Sequence, residues 1–379
     1  MRLPAPPTDG ASRSAPGAAG GEGKPPRRPR YRGTHPRTFA EKYKERDPAR
    51  YPAEREKVLA AGKTPAGSHV PVLLAEVLAA LDPKPGDVAV DATLGWGGHA
   101  EAILKRLLPG GRLVGLDVDP VELPKAERRL RALGFGEDVL TVRRANFAGL
   151  PKVLAEIGLP GADLVLADLG LSSMQLDDPE RGFSWKHDVP LDLRMNPRRG
   201  LPAGERILRM KGKEIEEILR KGGDEPEAKR IAEALAATAD TIRKQSPARL
   251  LSTLDVARAV ESAYEGRASR HALEAGRSSL QRTFQALRIL VNEEMTALDA
   301  FLRDLPFCLV PGGRVAVITF HSGEDRRVKK AFAAGLASGL FSEVSREVVR
   351  ASPEERRANP RSASAKLRRA VLAGGAHTG

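Results

Sequence analysis

The sequence predicts a doubly wound α/β sheet interrupted by an all-helical insertion. Several apolar runs, such as Leu113-Val-Gly-Leu and Leu164-Val-Leu-Ala, lack the polar alternation of a half-exposed strand. Such runs belong to parallel sheets covered by helices on both faces. A Pro-Gly-Gly-Arg stop precedes an apolar run at two distant places, Leu108 to Arg112 and Val310 to Arg314. Between these places the strand signals vanish after residue 175 and helical spacing takes over.

Val70 to Leu81 repeats Val, Leu and Ala at helical spacing, and Asp82-Pro83 stops the helix. Pro85-Gly-Asp then turns into a short strand, Val88 to Asp91. The glycine-rich Gly95-Trp-Gly-Gly98 follows, and His99 to Leu108 reads as a helix. Further strands are expected at 113–117, 139–143, 163–168 and 315–320, with helices near 120–133 and 149–157. This alternation implies a doubly wound sheet, whose ligands sit at the carboxyl ends of the strands. Residues 178–200 read as loop. Lys213 to Arg220, Glu227 to Arg243 and Thr253 to Ser262 read as helices, and a continuous helical pattern spans Leu280 to Leu302. Phe341 to Arg350 and Ala365 to Leu372 suggest a closing strand pair around a Pro/Arg/Ser loop. The expected organisation is a disordered basic tail over 1–65, with a short helix between Thr38 and Leu59. An α/β domain over 66–177 and 278–372 surrounds a substrate-recognition insertion over 178–277, and a tail covers 373–379.

Of 379 residues, 41% are hydrophobic and 29% charged, enough apolar material for a core. The net charge is +13. Residues 1–65 hold 15 Lys/Arg against 7 Asp/Glu, and residues 346–379 hold 8 against 3, so the positive excess lies at the ends. A polyanionic partner, nucleic acid above all, fits basic ends on a neutral body; a solubilising tail is the plainer alternative. The lone Cys308 excludes an intramolecular disulfide and a Cys-based zinc site, and the seven histidines are scattered, so no metal is expected. No run reaches the roughly 18 to 20 apolar residues of a membrane helix. The start carries no apolar signal segment, so a cytoplasmic location is expected.

The strand ends carry a consistent set of groups. Asp91 precedes Gly95, Gly97 and Gly98, where the backbone can approach a ligand. Asp117 ends the second strand, and a carboxylate there can accept the hydroxyl protons of a ribose. Phe147 follows the third strand and could pack on an adenine. Asp168 ends the fourth. Gly95-x-Gly97-x-x-Ala100, with Asp117 22 residues on, matches a loose NAD fingerprint. S-adenosylmethionine uses more of these groups, because its amino-acid end needs polar partners near Asp91 and Asp168.

Longer strings are more specific. Asp91-Ala-Thr-Leu-Gly-Trp-Gly-Gly-His99, Gly115-Leu-Asp-Val-Asp-Pro120 and Asp168-Leu-Gly-Leu-Ser-Ser-Met-Gln-Leu-Asp-Asp-Pro-Glu-Arg-Gly-Phe-Ser184 resemble the RsmH (MraW) family. So do Pro190-Leu-Asp-Leu-Arg-Met195, the run from Arg282-Thr-Phe-Gln to Asn292-Glu-Glu294, Gly313 to Ser322 and Asn359-Pro-Arg-Ser. These are bacterial S-adenosylmethionine-dependent 16S ribosomal RNA (cytosine-N4) methyltransferases. The resemblance spans about His69 to Arg369. It implies a class I methyltransferase, a Rossmann-like doubly wound sheet with an inserted helical domain, and the small ribosomal subunit as partner. By motif position it implies cofactor contacts from Gly97, Gly98, His99, Asp117, Phe147, Asp168 and Gln175. The chain departs from the family pattern at Ser278 to Gln281, Val189, Gly323 and Ala363, sites expected on the RNA side. Those departures keep open a paralogue methylating another nucleotide, or a ribosome-assembly factor that binds cofactor without turnover; an NAD-dependent oxidoreductase is more remote.

The exocyclic amine of cytosine is a poor nucleophile and needs hydrogen-bond acceptors and alignment. Many amino-methyltransferases use an Asp/Asn-Pro-Pro-aromatic loop, whereas this chain has Asp168-Leu-Gly-Leu-Ser-Ser173. Asp168 with Ser172 or Ser173 is the catalytic expectation; holding the methionine amine and capping a turn is the alternative. A base within structured RNA must turn out to react, so Phe183, Trp185 and Phe320 are stacking candidates. Arg194, Arg282 and Arg288 are candidate phosphate ligands. Asn292, one helical turn from Arg288, and His321 are candidate substrate contacts.

Overall fold

A computed structural model describes residues 71–265 and 270–374. The basic N-terminal tail, its expected short helix and the last residues of the C-terminal tail lie outside the described residues.

A seven-stranded sheet forms the body, in the order β3-β2-β1-β4-β5-β7-β6. Its strands are β1 (Val88–Asp91), β2 (Arg112–Asp117), β3 (Leu140–Arg144), β4 (Ala162–Asp168), β5 (Leu309–Thr319), β6 (Phe341–Val344) and β7 (Lys366–Leu372). The first five are parallel, whereas β7 runs antiparallel to both β5 and β6. Alternate residues of each strand feed two buried layers. Val165, Ala167, Val315 and Val317 face one layer, and Leu164, Leu166, Ala316 and Ile318 face the other. Burial on both faces is why these strands read as unbroken apolar runs.

Helices α1 (Leu74–Leu81), α2 (Gly98–Leu107) and α3 (Leu123–Ala132) cover the second layer through Leu81, Ile103, Leu104 and Leu130. The first layer is covered by α4 (Leu150–Glu156) and by two helices late in the chain, α11 (Glu294–Asp304) and α12 (Ser322–Ala337), through Leu154, Phe301 and Phe332.

After β4 the chain makes the short α5 (Ser173–Asp177), a 3-10 turn at Pro179–Arg181, and then the insertion. The insertion comprises α6 (Ala203–Leu208), α7 (Gly212–Gly223), α8 (Ala228–Gln245), α9 (Thr253–Ser262) and α10 (Arg270–Asn292). Ile215, Leu219, Ile231, Leu235 and Val256 form its own core.

Three features differ from expectation. The return to the α/β body, expected at 278, falls inside α10, whose Leu280, Phe284 and Leu287 pack in the insertion core. The helical pattern from Leu280 to Leu302 is two helices, broken where Glu293 takes φ 53°. The sheet-side packing resumes with Leu298 and Phe301 of α11. The expected strand from Phe341 to Arg350 is only four residues long, and its following loop contains α13 (Pro353–Ala358) and a 3-10 turn, Pro360–Ser364. α13 is capped by Ser352, whose hydroxyl accepts the Glu355 N–H at 3.1 Å.

Candidate active site

A cavity of about 460 Å³ opens at the carboxyl ends of β1, β2, β4 and β5. Its walls include the glycine loop, Asp117, Phe147, the segment Asp168–Ser172 and, from beyond the insertion, Asn292 and Glu294. Parallel register produces this convergence: Asp91 pairs with Gly115 and Asp168 with Ile318, so the strand ends are level.

The glycine loop is shaped by close contacts. Gly97 caps α2 at φ 81°, and a β-carbon there would stand 3.0 Å from the Leu130 side chain. At Gly98 a β-carbon would meet Pro71 at 2.5 Å, so a side chain would force the two apart. Gly98 lines the cavity, whereas Gly97 supports it from behind.

Asp117 uses its carboxylate to hold this loop. Oδ2 accepts the Gly95 N–H and Oδ1 the Asp119 N–H, both at 2.9 Å. The remaining lone pairs are available to a ligand in the cavity. Phe147 lines the wall with its ring edge-on to Phe301, centroids 5.4 Å apart.

Asp168 and His99 are the central polar pair. His99 Nε2 lies 2.9 Å from the Val72 carbonyl oxygen, which only accepts, so Nε2 carries the proton. The Nδ1 lone pair then faces Asp168 Oδ2 at 3.6 Å. Burial pushes His99 down to about 4. Burial, then the nearby Asp91 and Glu324, push the Asp168 carboxyl up to about 8. Near neutral pH the close approach is therefore between uncharged groups, not an ion pair. Asp168 Oδ1 is buried without a hydrogen-bond partner, and the Asp168 N–H donates to Thr93 Oγ1 at 2.6 Å. Asp91, read from sequence as a ligand group, is buried outside the cavity wall and accepts the Thr93 N–H. Thr93 takes the wall position instead.

Ser172 caps α5. Its Oγ accepts the Gln175 N–H at 3.3 Å, and Gln175 Oε1 accepts the Ser172 N–H at 3.0 Å. Gln175 Nε2 donates to Asp119 Oδ2 at 2.8 Å. Both residues line the cavity, and the Ser172 hydroxyl still has a proton to donate.

The fully buried Asp119 was not singled out from sequence. It also accepts from Arg181 Nη1 at 2.9 Å, and Arg181 Nη2 donates to the carbonyls of Arg194 and Met195. Asn292 holds the same segment: its Oδ1 accepts the Met195 N–H at 2.7 Å and its Nδ2 donates to the Leu193 carbonyl. These bonds press Met195 into the cavity wall. The available signal is an Asp two residues after a strand-end Asp, with an Arg in the Asp177-Asp-Pro-Glu-Arg-Gly-Phe183 string.

The residues expected to contact substrate each have partners within the protein. The Arg194 guanidinium pairs with both Asp192 carboxylate oxygens and donates to the Gly200 carbonyl. Arg288 is half-buried and pairs with both oxygens of Glu294 at 2.8 and 2.9 Å. A guanidinium so paired has its charge balanced and its Nε–Nη2 edge occupied by carboxylate, which weakens it as a phosphate ligand. Asn292 reaches the cavity, but its amide is committed to backbone. His321 caps α12: Nδ1 faces the Gly323 and Glu324 N–H groups, and Nε2 lies 3.2 Å from Glu324 Oε1. Arg282 likewise pairs with the buried Glu225.

The family departures are not uniformly on an outer face either. Ser279 is fully buried, donating to Glu225 and contacting the Tyr264 hydroxyl at 2.6 Å. The Val189 carbonyl accepts the Thr253 N–H. Exposed arginines close in sequence to cavity-lining residues include Arg198 and Arg199, after Met195, and Arg356 and Arg357 of α13, before Ala358.

The cavity wall holds five carboxylates, from Asp117, Asp168, Asp177, Glu294 and Glu324, against one guanidinium, Arg361. Glu294 is paired with Arg288 and Asp177 with Arg361, so among the described residues no unpaired guanidinium in the wall is left to hold a pyrophosphate. Residues 66–372 match the model of the MraW methylase family. The chain belongs to the MraW methylase family. The NAD-dependent alternative is thereby overturned; the loose glycine fingerprint leads into an acidic cavity, not a phosphate cradle.

Among relatives, the chain is 47% identical over 347 residues to ribosomal RNA small subunit methyltransferase H 1 of Lachnoclostridium phytofermentans, covering 92% of this chain and 93% of that one. It is 44% identical to the protein of the same name from Agathobacter rectalis, covering 92% and 97%. The corresponding enzyme of Halorhodospira halophila is 48% identical over 266 residues, covering 70% and 78%. Among the described residues, no cluster of metal-ligating side chains is present and no helix is long and apolar enough to cross a membrane.

Proposed function

We propose that this methylase transfers a methyl group from S-adenosylmethionine to N4 of a cytosine in the decoding region of 16S ribosomal RNA, acting on the small ribosomal subunit in the cytoplasm. The observation that carries this reading is Asp168. A buried, unpartnered acceptor oxygen stands at the end of β4, in an acidic cavity, beside the Ser172 hydroxyl. The family membership and the names of the relatives support the ribosomal substrate.

The cofactor supplies a methyl group on a cationic sulfur that becomes a neutral thioether when the S–CH3 bond breaks. Gly98 admits it close to the backbone, with Gly97 and His99 fixing the loop. Asp117 would accept from the ribose hydroxyls, and Phe147 would offer a face to the adenine. Gln175, locked by Ser172 and Asp119, would form part of the wall that holds the cofactor. A cation near Asp168 favours its ionised form. Asp168 then accepts a hydrogen bond from the target amine, orients its lone pair, and takes the proton released as the N–C bond forms. Ser172 donates or accepts a second hydrogen bond. Most of the rate gain comes from alignment and from placing charge where it develops.

Replacing Asp168 by Ala should lower single-turnover methyl transfer by about 100- to 1,000-fold, the cost of removing one preorganised polar partner. A variant that methylates at near wild-type rate would rule out the role.

A further inference from the structure

The loop that follows β4 lacks an aromatic residue, so a turned-out base has no ring to lie on there. The register of the sheet supplies one from the neighbouring strand. Asp168 pairs with Ile318, and the Leu169 N–H donates to the Ile318 carbonyl at 3.0 Å. Two residues further along each strand stand Gly170 and Phe320. Gly170 has φ +101°, a conformation that favours glycine, and a β-carbon built on it would lie 3.5 Å from Phe320 Cδ2. The ring therefore sits directly against the Asp168–Ser172 segment.

Phe320 is well fixed. Its N–H donates at 2.8 Å to Glu324 Oε2, and Glu324 is itself buried. Part of the side chain packs against the core layer that contains Ile318, Ala365 and Leu367, and the rest lines the cavity. The other candidate rings are committed elsewhere. Phe183 is buried beneath the Arg181 guanidinium, and Trp185 packs on Phe284 with centroids 5.3 Å apart. Phe147 stands at the β3 end, against Phe301. Trp96 also lines the cavity, but from the glycine loop after β1 and with Arg129 over its ring.

We propose that Phe320 is the platform on which the turned-out target base stacks, so that the end of β5 supplies the ring missing from the loop after β4. A base lying on Phe320 would bring its edge toward Asp168, which stands two residues back on the adjacent strand. Stacking itself is tolerant of base identity, so the ring orients the base while the polar groups select its edge. This inference rests on the reading of a nucleobase as methyl acceptor.

The test uses the full chain with Phe320→Leu and Phe320→Met, which fill the core side without a ring, and Phe320→Tyr, which keeps the ring. Thermal melting selects the folded variants. Cofactor affinity is read by calorimetry, and kcat and KM are measured on small ribosomal subunits lacking base methylation. For Leu or Met, kcat/KM should fall about 10- to 100-fold, the size of one lost base–aromatic stack, with cofactor affinity within about twofold of wild type. Tyr should stay within about threefold of wild type in both. Leu or Met variants transferring methyl as fast as wild type would overturn the platform. So would parallel loss of cofactor affinity, which would assign the ring to the cofactor, or a folded Tyr variant as impaired as Leu. Absence of methyl transfer to any base by the wild type would instead remove the underlying reading, and the platform with it.

Discussion

The cofactor end of the sheet and the insertion treat polar side chains in opposite ways. At the strand ends, Asp117 and Asp168 point into a cavity and retain unused acceptor capacity. In the insertion and its junction, Arg194, Arg282 and Arg288 are each paired with a carboxylate. The two regions meet in the buried set of Asp119, Gln175 and Arg181, which ties the end of β2 to the 193–195 segment over the cavity. The contrast teaches that topology alone aims a strand-end residue, whereas a helix residue is aimed by whichever partner the tertiary fold brings to it.

The largest effect is expected at the junction. Arg181→Ala would leave Asp119 buried with its charge uncompensated and free the 194–195 carbonyls, costing about 3–5 kcal/mol of stability. Chemical denaturation would measure it. A loss below about 1 kcal/mol, the scale of an exposed pair, would mean that the two regions are not coupled through this network.

A smaller effect is expected from pH at the cofactor end. In the free protein the Asp168 carboxyl is raised to about 8, so at lower pH it holds a proton that a cationic ligand must displace. Affinity for S-adenosylmethionine should therefore rise with pH from 6 to 8, by up to about tenfold per unit for one released proton. Asp168→Asn should flatten this slope. The same shift sets a stability trend: a raised carboxyl stabilises the fold least once pH passes its folded value. The stability gained by Asp168→Asn over wild type, without cofactor, should grow between pH 4 and 8. An identical pH trend in both proteins would contradict the assignment.

The smallest effects separate paired from exposed arginines. Removing Arg198 or Arg356 should reduce the slope of log affinity for RNA against log salt by about 0.7–0.9 for each phosphate no longer neutralised. Arg288→Met should instead lower stability and leave the salt slope unchanged. Deleting residues 1–60 should weaken RNA binding at low salt without changing cofactor affinity.

Much of the sheet was legible because its strands are buried on both faces and carry no polar alternation. The strand-end positions of Asp117, Phe147 and Asp168 followed from the same reading. The break at Glu293 was not legible, since neither Gly nor Pro marks it and the apolar spacing continues from Leu280 to Leu302. Helix α13 was hidden by its charged Pro-Glu-Glu-Arg-Arg-Ala sequence, which has no apolar stripe. The spacing of Arg288 and Asn292 placed them on one face. It could not show that Glu294 would claim the first and the 193–195 backbone the second. His321 looked like a substrate group because it follows a strand; its ring instead caps the helix that starts there.

The most direct measurement is methyl transfer from labelled S-adenosylmethionine to small ribosomal subunits lacking base methylation, with the product nucleoside identified by mass spectrometry and mapped along the RNA. N4-methylcytidine in the decoding region is the expected product. Label on another nucleotide, or tight cofactor binding with no transfer, would contradict the assignment of Asp168 to the cytosine amine.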